Sequence, residues 1–205
     1  MEQQAEHRLN KKGARHWHIL TLWLGLAIIA GPLAIITHEG GHFFAAKTLG
    51  YSDVVLHHAS IERGISPLEE ESLTDRGIIS FAGPLITLIM AIGCCFCIRK
   101  GNKSIFWIAL GISTPLRNLA SAAALIIVLA GKEVKGNDEV KVAAFFDISP
   151  VIPLLGSIAV LLFTWGYLLR ILYHRKGVPG LLVVLLGIVL GNVFWLSLLG
   201  PIVLP

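Results

Sequence analysis

Residues 37–51 read THEGGHFFAAKTLGY and place His38, Glu39 and His42 at the end of a long uncharged run. In a helix, residues four apart project from the same face, about 6 Å apart along the axis. His38 and His42 can therefore bind one cation together, with Glu39 beside them. In this HExxH pattern two neutral imidazoles bind Zn²⁺, and the carboxylate takes a proton from water and passes it to the leaving group. The pattern predicts a catalytic zinc site, with His38 and His42 as ligands and Glu39 as the general base.

The apolar surroundings of these three side chains strengthen the prediction. A titratable side chain inside a bilayer costs at least a few kcal/mol and is rarely retained without a function. The alternative is a structural role, in which the histidines and the glutamate only form hydrogen bonds between helices. Gly40 and Gly41 are poor helix formers, and their small size would let a neighbouring backbone or a substrate approach closely.

A catalytic zinc ion needs a third protein ligand and an open fourth position. The favoured third ligand is Asp138, which follows a Gly-Asn turn and opens a predicted short helix, EVKVAAFF, that Asn137 or Asp138 would cap. Asp147 is the next candidate. The same loop also contains Glu133 and Glu139. The acids of the loop at residues 51–77 belong mostly to a surface run, and they are Asp53, Glu62, Glu69, Glu70, Glu71 and Asp75.

Long uncharged runs dominate the rest of the chain. Only 15% of its 205 residues are charged, whereas soluble domains contain about a quarter. The runs are residues 19–37, 78–98, 105–131 (broken by Arg117), 148–169 and 178–205. Each is long enough to cross a hydrocarbon layer of about 30 Å as a helix. The sequence predicts an all-α, multi-pass bundle of about five transmembrane helices over residues 17–205, in a bacterial-type cell membrane.

Residues 1–16 form a basic N-terminal tail before this domain. With the N-terminus inside, the tail and the turns at 99–103 and 170–176 contain ten Lys and Arg, against six on the opposite side. This bias follows the positive-inside rule and favours a cytoplasmic N-terminus. The net charge of +4 therefore reflects topology, and no surface suited to nucleic acid is indicated; the expected partners are the lipid bilayer and a membrane-associated peptide substrate.

Three further features of the sequence lie outside the HExxH motif. Arg117, inside a predicted span, must pair with an acid of the site, with a carbonyl freed by Pro115, or in a structural ion pair. Asn118 is a candidate catalytic residue, because its amide could donate to a carbonyl oxygen as negative charge develops there. The segment DVVLHHASI, residues 53–61, has β character and offers an edge on which an unwound substrate could pair.

Together these residues resemble the site-2 protease family of intramembrane zinc metalloproteases. HEGGHFFAAKTLG is similar to the family's HExGH motif, and SFAGPLITL at residues 80–88 is similar to its Ala-Gly-Pro-leucine segment. LRNLAS followed by GNDEVKVAAFFDISP resembles the compact branch, where an Arg-Asn pair precedes the segment that supplies the third ligand. The resemblance implies an active site toward the cytosol, and it places the third ligand on Asp138.

One part of the chain departs from the larger branch of that family. DISPVIPLLGS, residues 147–157, is similar to its Asn-x-x-Pro-x-x-x-x-Asp-Gly motif, but Leu155 stands where the aspartate would be. The Lys and Arg bias also places His38 nearer the outer face.

Two alternatives to a peptidase therefore remain: an inactive membrane relative that binds partners, and a metal or proton transporter. A transporter would carry polar residues on several spans, whereas here they concentrate at one depth.

Overall fold

The computed structural model describes residues 2–63, 72–102 and 104–205, and within them the side chains of residues 17–62, 72–102 and 104–205. The predicted acidic surface run at Glu69, Glu70 and Glu71 lies outside the described residues. The described chain is all-α apart from one short antiparallel hairpin. Its helices are α1 (Glu2–Thr48), α2 (Leu73–Arg99), α3 (Ile105–Ser113), α4 (Asn118–Leu129), α5 (Asp138–Phe145), α6 (Val151–Phe194) and α7 (Gly200–Val203), and its strands are β1 (Val54–Leu56) and β2 (Ile61–Arg63).

Within the described residues, four helical stretches are long and apolar enough to cross a membrane: Trp17–Thr48, Leu73–Arg99, Ile105–Leu129 and Val151–Val203. Many of their large apolar side chains face outward, including Ile126 at 70%, Phe163 at 76% and Ile202 at 78% exposure. Apolar surface this extensive is buried in lipid or in a partner. The fold is therefore typical of an integral, multi-pass membrane protein.

The fourth stretch contains both of the last two predicted spans, because α6 reverses direction at Gly177, where φ is 66°. Its first arm, residues 151–176, runs antiparallel to α3 and α4: Trp165 Nε1 donates to Ile112 O at 2.9 Å, and Arg175 Nη1 donates to Asn102 O at 3.1 Å. The second arm follows α1, where a Cβ on Gly187 would lie 2.6 Å from Ala27 Cβ. A positive φ suits glycine, so the residue type explains the turn.

Helix α1 is the centre of the bundle and packs against α2, α3 and α6. The apolar core lies where these helices meet, and Ala27, Ile108 and Leu168 are among its fully buried members. Small residues on α1 allow this crowding. The side chain of Asn192, for example, would come within 2.8 Å of a Cβ on Gly31. Such tight packing fixes the position of the α1 face that contains His38 and His42.

The hairpin lies beyond the end of α1 and contacts the last residues of the chain. His57 and His58 follow β1 and are half-buried. Trp195 Nε1 donates to His58 O at 2.8 Å, and His58 N donates to Leu204 O at 3.0 Å. The β character of residues 53–61 is confirmed for β1, and the edge lies at the same end of the bundle as the histidine pair.

Candidate metal centre

The α1 helix positions the two histidines as their spacing predicts. His38 and His42 are each 5% exposed, and their Nε2 atoms lie 3.1 Å apart. Two nitrogens at this distance face the same point in space. Helix α1 alone therefore supplies two of the three protein ligands that a catalytic zinc site needs.

The other ring nitrogen of each histidine is held by α2. His38 Nδ1 lies 2.8 Å from Thr87 Oγ1, and His42 Nδ1 lies 2.6 Å from the carbonyl oxygen of Ile79. A carbonyl only accepts, so His42 must donate from Nδ1, and in the neutral ring its Nε2 then keeps a lone pair. Metal-binding histidines are commonly fixed by such a second hydrogen bond, which sets the tautomer and orients the ring.

Asp138 lies far from the two histidines in the sequence, and its carboxylate completes the group of possible metal ligands. Its Oδ2 lies 3.4 Å from His38 Nε2 and 3.3 Å from His42 Nε2. Ligand atoms around tetrahedral zinc, with bonds of about 2.0–2.1 Å, are spaced by about 3.3 Å. The group His38, His42 and Asp138 could therefore hold a metal ion.

Local sequence explains how Asp138 reaches this place. Gly136 adopts a φ of 82°, and Asn137 then caps α5 by accepting from Val140 N at 3.1 Å. Asp138 is thus the first residue of α5, which packs against α2 and α6. The predicted short helix is confirmed, with Asn137 as its cap.

The Asp138 carboxyl is ionised in this setting. Burial alone would raise its pKa, but hydrogen bonds with His38 and His42 and their charges outweigh the burial. The pKa of Asp138 therefore lies well below its ordinary value. A deprotonated oxygen is the form that binds a cation.

Two glycines let α1 and α2 approach closely at the group. A Cβ on Gly83 would lie 2.8 Å from His38 Nε2 and would also collide with His42 Nε2, and a Cβ on Gly41 would lie 2.7 Å from Ala82 O. The suggested close approach of a backbone is thus seen at Gly41, whereas Gly40 has open space beside it. The Ala-Gly-Pro segment of α2 therefore packs directly against the two histidine rings.

We expect Gly83→Ala to weaken zinc binding by at least about 10-fold, since displacing a ligand should cost no less than disturbing its outer partners. Gly93→Ala is the matched control, because Gly93 is on the same helix with open space beside it. Competition with a chromogenic chelator measures both affinities. Equal affinities in the two variants would contradict this account of the α1–α2 contact.

Glu39 is 3% exposed and forms an ion pair with Arg117, which lies in a 3₁₀ turn that follows α3. Three kinds of partner were suggested for Arg117, and the structure has the first of them, an acid of the site, which is Glu39. A buried carboxylate without a partner would be strongly destabilising. Arg117 compensates the charge of Glu39 and fixes the direction of its Oε1 atom.

Asn118 is not one of the possible metal ligands, which are His38, His42 and Asp138. Its Nδ2 donates to Ser157 O at 2.8 Å, and Ser157 Oγ donates to Glu139 Oε1 at 2.7 Å. Within the described residues, the cluster of possible metal ligands contains neither Asp147, which is exposed with a φ of 52°, nor the remaining acids considered from the sequence. These acids are Asp53, Glu62, Asp75, Glu133 and Glu139.

Sequence reasoning missed the groups that orient the histidines. Thr87 is a polar residue in an apolar helix, four positions after Gly83, and that spacing could have indicated it. Ile79 contributes a backbone carbonyl, which any residue type supplies, so its side chain gives no signal. The Glu139–Ser157 hydrogen bond joins two elements whose contact the sequence does not reveal.

Comparisons of the chain with protein-family models, with curated proteins and with solved structures found no match.

Proposed function

We propose that this chain is an intramembrane zinc metallopeptidase of the site-2 protease type, which hydrolyses peptide bonds of membrane-associated substrates. The supporting observation is the triangle formed by His38 Nε2, His42 Nε2 and Asp138 Oδ2, with edges of 3.1, 3.3 and 3.4 Å. Two imidazoles and one carboxylate, with a fourth position left for water or substrate, are the donor set of zinc hydrolases.

Zinc bound to these residues would supply Lewis acidity, which makes water a nucleophile near neutral pH and polarises a carbonyl. The chain's own residues then move the proton. Glu39 follows the first ligand on α1, and Arg117 holds its Oε1 atom. We assign proton transfer from water to the leaving amine to the other oxygen, Oε2.

Asn118 remains the proposed donor to the developing oxyanion. Its amide carries two N–H groups, and the bond to Ser157 O uses one of them. The second N–H is suited to stabilise negative charge on a substrate carbonyl, as polar donors do in other hydrolases.

The helical surroundings define which peptides can react. A transmembrane substrate helix hides its carbonyls in internal hydrogen bonds, so it must unwind before it is cut.

Because the two arms of α6 run in opposite directions, we propose five membrane crossings with a cytoplasmic N-terminus. The group then lies toward the face that carries α5, the hairpin and the last residues of the chain.

We expect the purified full chain, in nanodiscs with zinc, to cut some members of a library of single-span peptides. New termini found by mass spectrometry should disappear after chelation and return when zinc is added, because the water is activated by the metal. Cleavage that is insensitive to chelation would contradict the proposal. Zinc binding without any cleavage would favour the inactive relative, and zinc uptake into proteoliposomes would favour the transporter.

A further inference from the structure

A half-open cavity of about 310 Å³ lies beside the metal group and is lined by α2, α4, α5 and the first arm of α6. Its wall is mostly apolar, and the apolar side chains include Phe81, Leu85, Leu88, Val142, Pro153 and Val160. Cavities that hold small ligands have about 300–1,000 Å³ and a mainly apolar lining with a few polar groups. This cavity is at the small end of that range.

The cavity shares a wall with the metal group. Thr87 lines it, and the Thr87 hydroxyl lies 2.8 Å from His38 Nδ1. Glu139, which directly follows the ligand Asp138, lines the adjoining wall. A group that fills the cavity therefore lies against residues that adjoin two of the possible metal ligands, His38 and Asp138.

Three of the four polar residues that line the cavity lie together on one side of it, and the fourth is Thr87. Asn118, Ser157 and Glu139 line it and are joined by hydrogen bonds of 2.8 and 2.7 Å. These amide, hydroxyl and carboxylate groups can pair with the main chain of an extended peptide, while the apolar wall can bury a side chain. Lipid chains carry no groups that match such a polar side.

We propose that this cavity binds one large apolar side chain of the substrate, the size of leucine or phenylalanine, next to the bond that is cut. The inference rests on the proposed peptidase function and assigns its substrate preference. A helix with its side chains is about 10 Å wide, so a cavity of about 310 Å³ takes a side chain of an unwound peptide and not a helix.

Two glycines on the first arm of α6 provide a matched pair of variants. Gly156 lines the cavity, whereas Gly166 does not, and neither has an atom within 4 Å of the point that a Cβ would take. Both are exposed. Gly156→Phe therefore adds a ring at the cavity, and Gly166→Phe adds the same ring to the same helix away from it.

The test uses two dipeptide hydroxamates that differ only in a leucine or a glycine side chain, because hydroxamates bind zinc without being cleaved. Binding to the zinc-loaded full chain in detergent is measured by titration calorimetry. The wild type and Gly166→Phe should bind the leucine compound at least about 10-fold more tightly, since each methylene in an apolar pocket is worth about that much. In Gly156→Phe the ratio should fall to below about 2-fold, with zinc content unchanged.

Equal binding of the two hydroxamates by zinc-loaded wild type would overturn the inference and leave the peptidase proposal standing. A leucine preference that persists in Gly156→Phe would overturn it as well. So would a lipid that is released from the wild type on denaturation and is absent from Gly156→Phe, because the cavity would then be a lipid site. Failure of the peptidase proposal itself would be seen separately, as a chain that contains no zinc or as a zinc-loaded chain that cuts none of the single-span peptides.

Discussion

Glu39→Gln should abolish peptide cleavage while the zinc content and the fold stay unchanged. Glutamine has nearly the shape of glutamate but cannot accept the proton of water, and loss of a general base lowers the rate by about 10²–10⁴-fold. Cleavage of a peptide from the single-span library, followed by mass spectrometry, measures the rate. Zinc content is measured on the same preparation.

The ion pair with Arg117 makes this substitution tolerable for the fold. The glutamine carbonyl can still accept from the guanidinium. Glu133→Gln, on an exposed loop residue, is the matched control and should cleave at the wild-type rate. If Glu39→Gln lost zinc together with activity, Glu39 would be a ligand and the assigned mechanism would be wrong.

The histidine pair could be predicted because its geometry is local. Four residues of α-helix bring His38 and His42 to one face whatever the rest of the chain does. The long uncharged runs likewise predict the apolar helices, since length and composition are enough to satisfy a bilayer. The turn predicted at residues 170–176 lies directly after them instead: these residues are helical, and α6 changes direction at Gly177.

Contacts between distant segments were harder to infer. Asp138 and Asp147 were both candidates for the third ligand, and the choice between them depends on the backbone of α5. The partner of Arg117, the carbonyl of Ile79 and the cavity beside Thr87 depend on how separate helices pack against one another. Each of them is a property of the fold and has no residue pattern of its own.

Asp138→Asn should weaken zinc binding by more than about 100-fold, because it removes one of three protein ligands from a buried site. An outer carboxylate that only oriented a histidine would cost about 10–100-fold. Asp147→Asn is the matched control: Asp147 is exposed and has a φ of 52°, which asparagine tolerates better than most residues. Asp138 Oδ1 lies 3.7 Å from Lys141 Nζ, and an asparagine oxygen can keep that contact, so the loop itself should remain folded.

Metal analysis of the full chain, purified in detergent without chelators and compared with these variants at limiting zinc, tests the account most directly. We predict about one zinc per wild-type chain and per Asp147→Asn chain, and below about a tenth of that in Asp138→Asn and in His42→Ala. A wild-type chain that contains no zinc, or iron in its place, would contradict the zinc peptidase. Full zinc occupancy in Asp138→Asn would remove Asp138 from the metal centre.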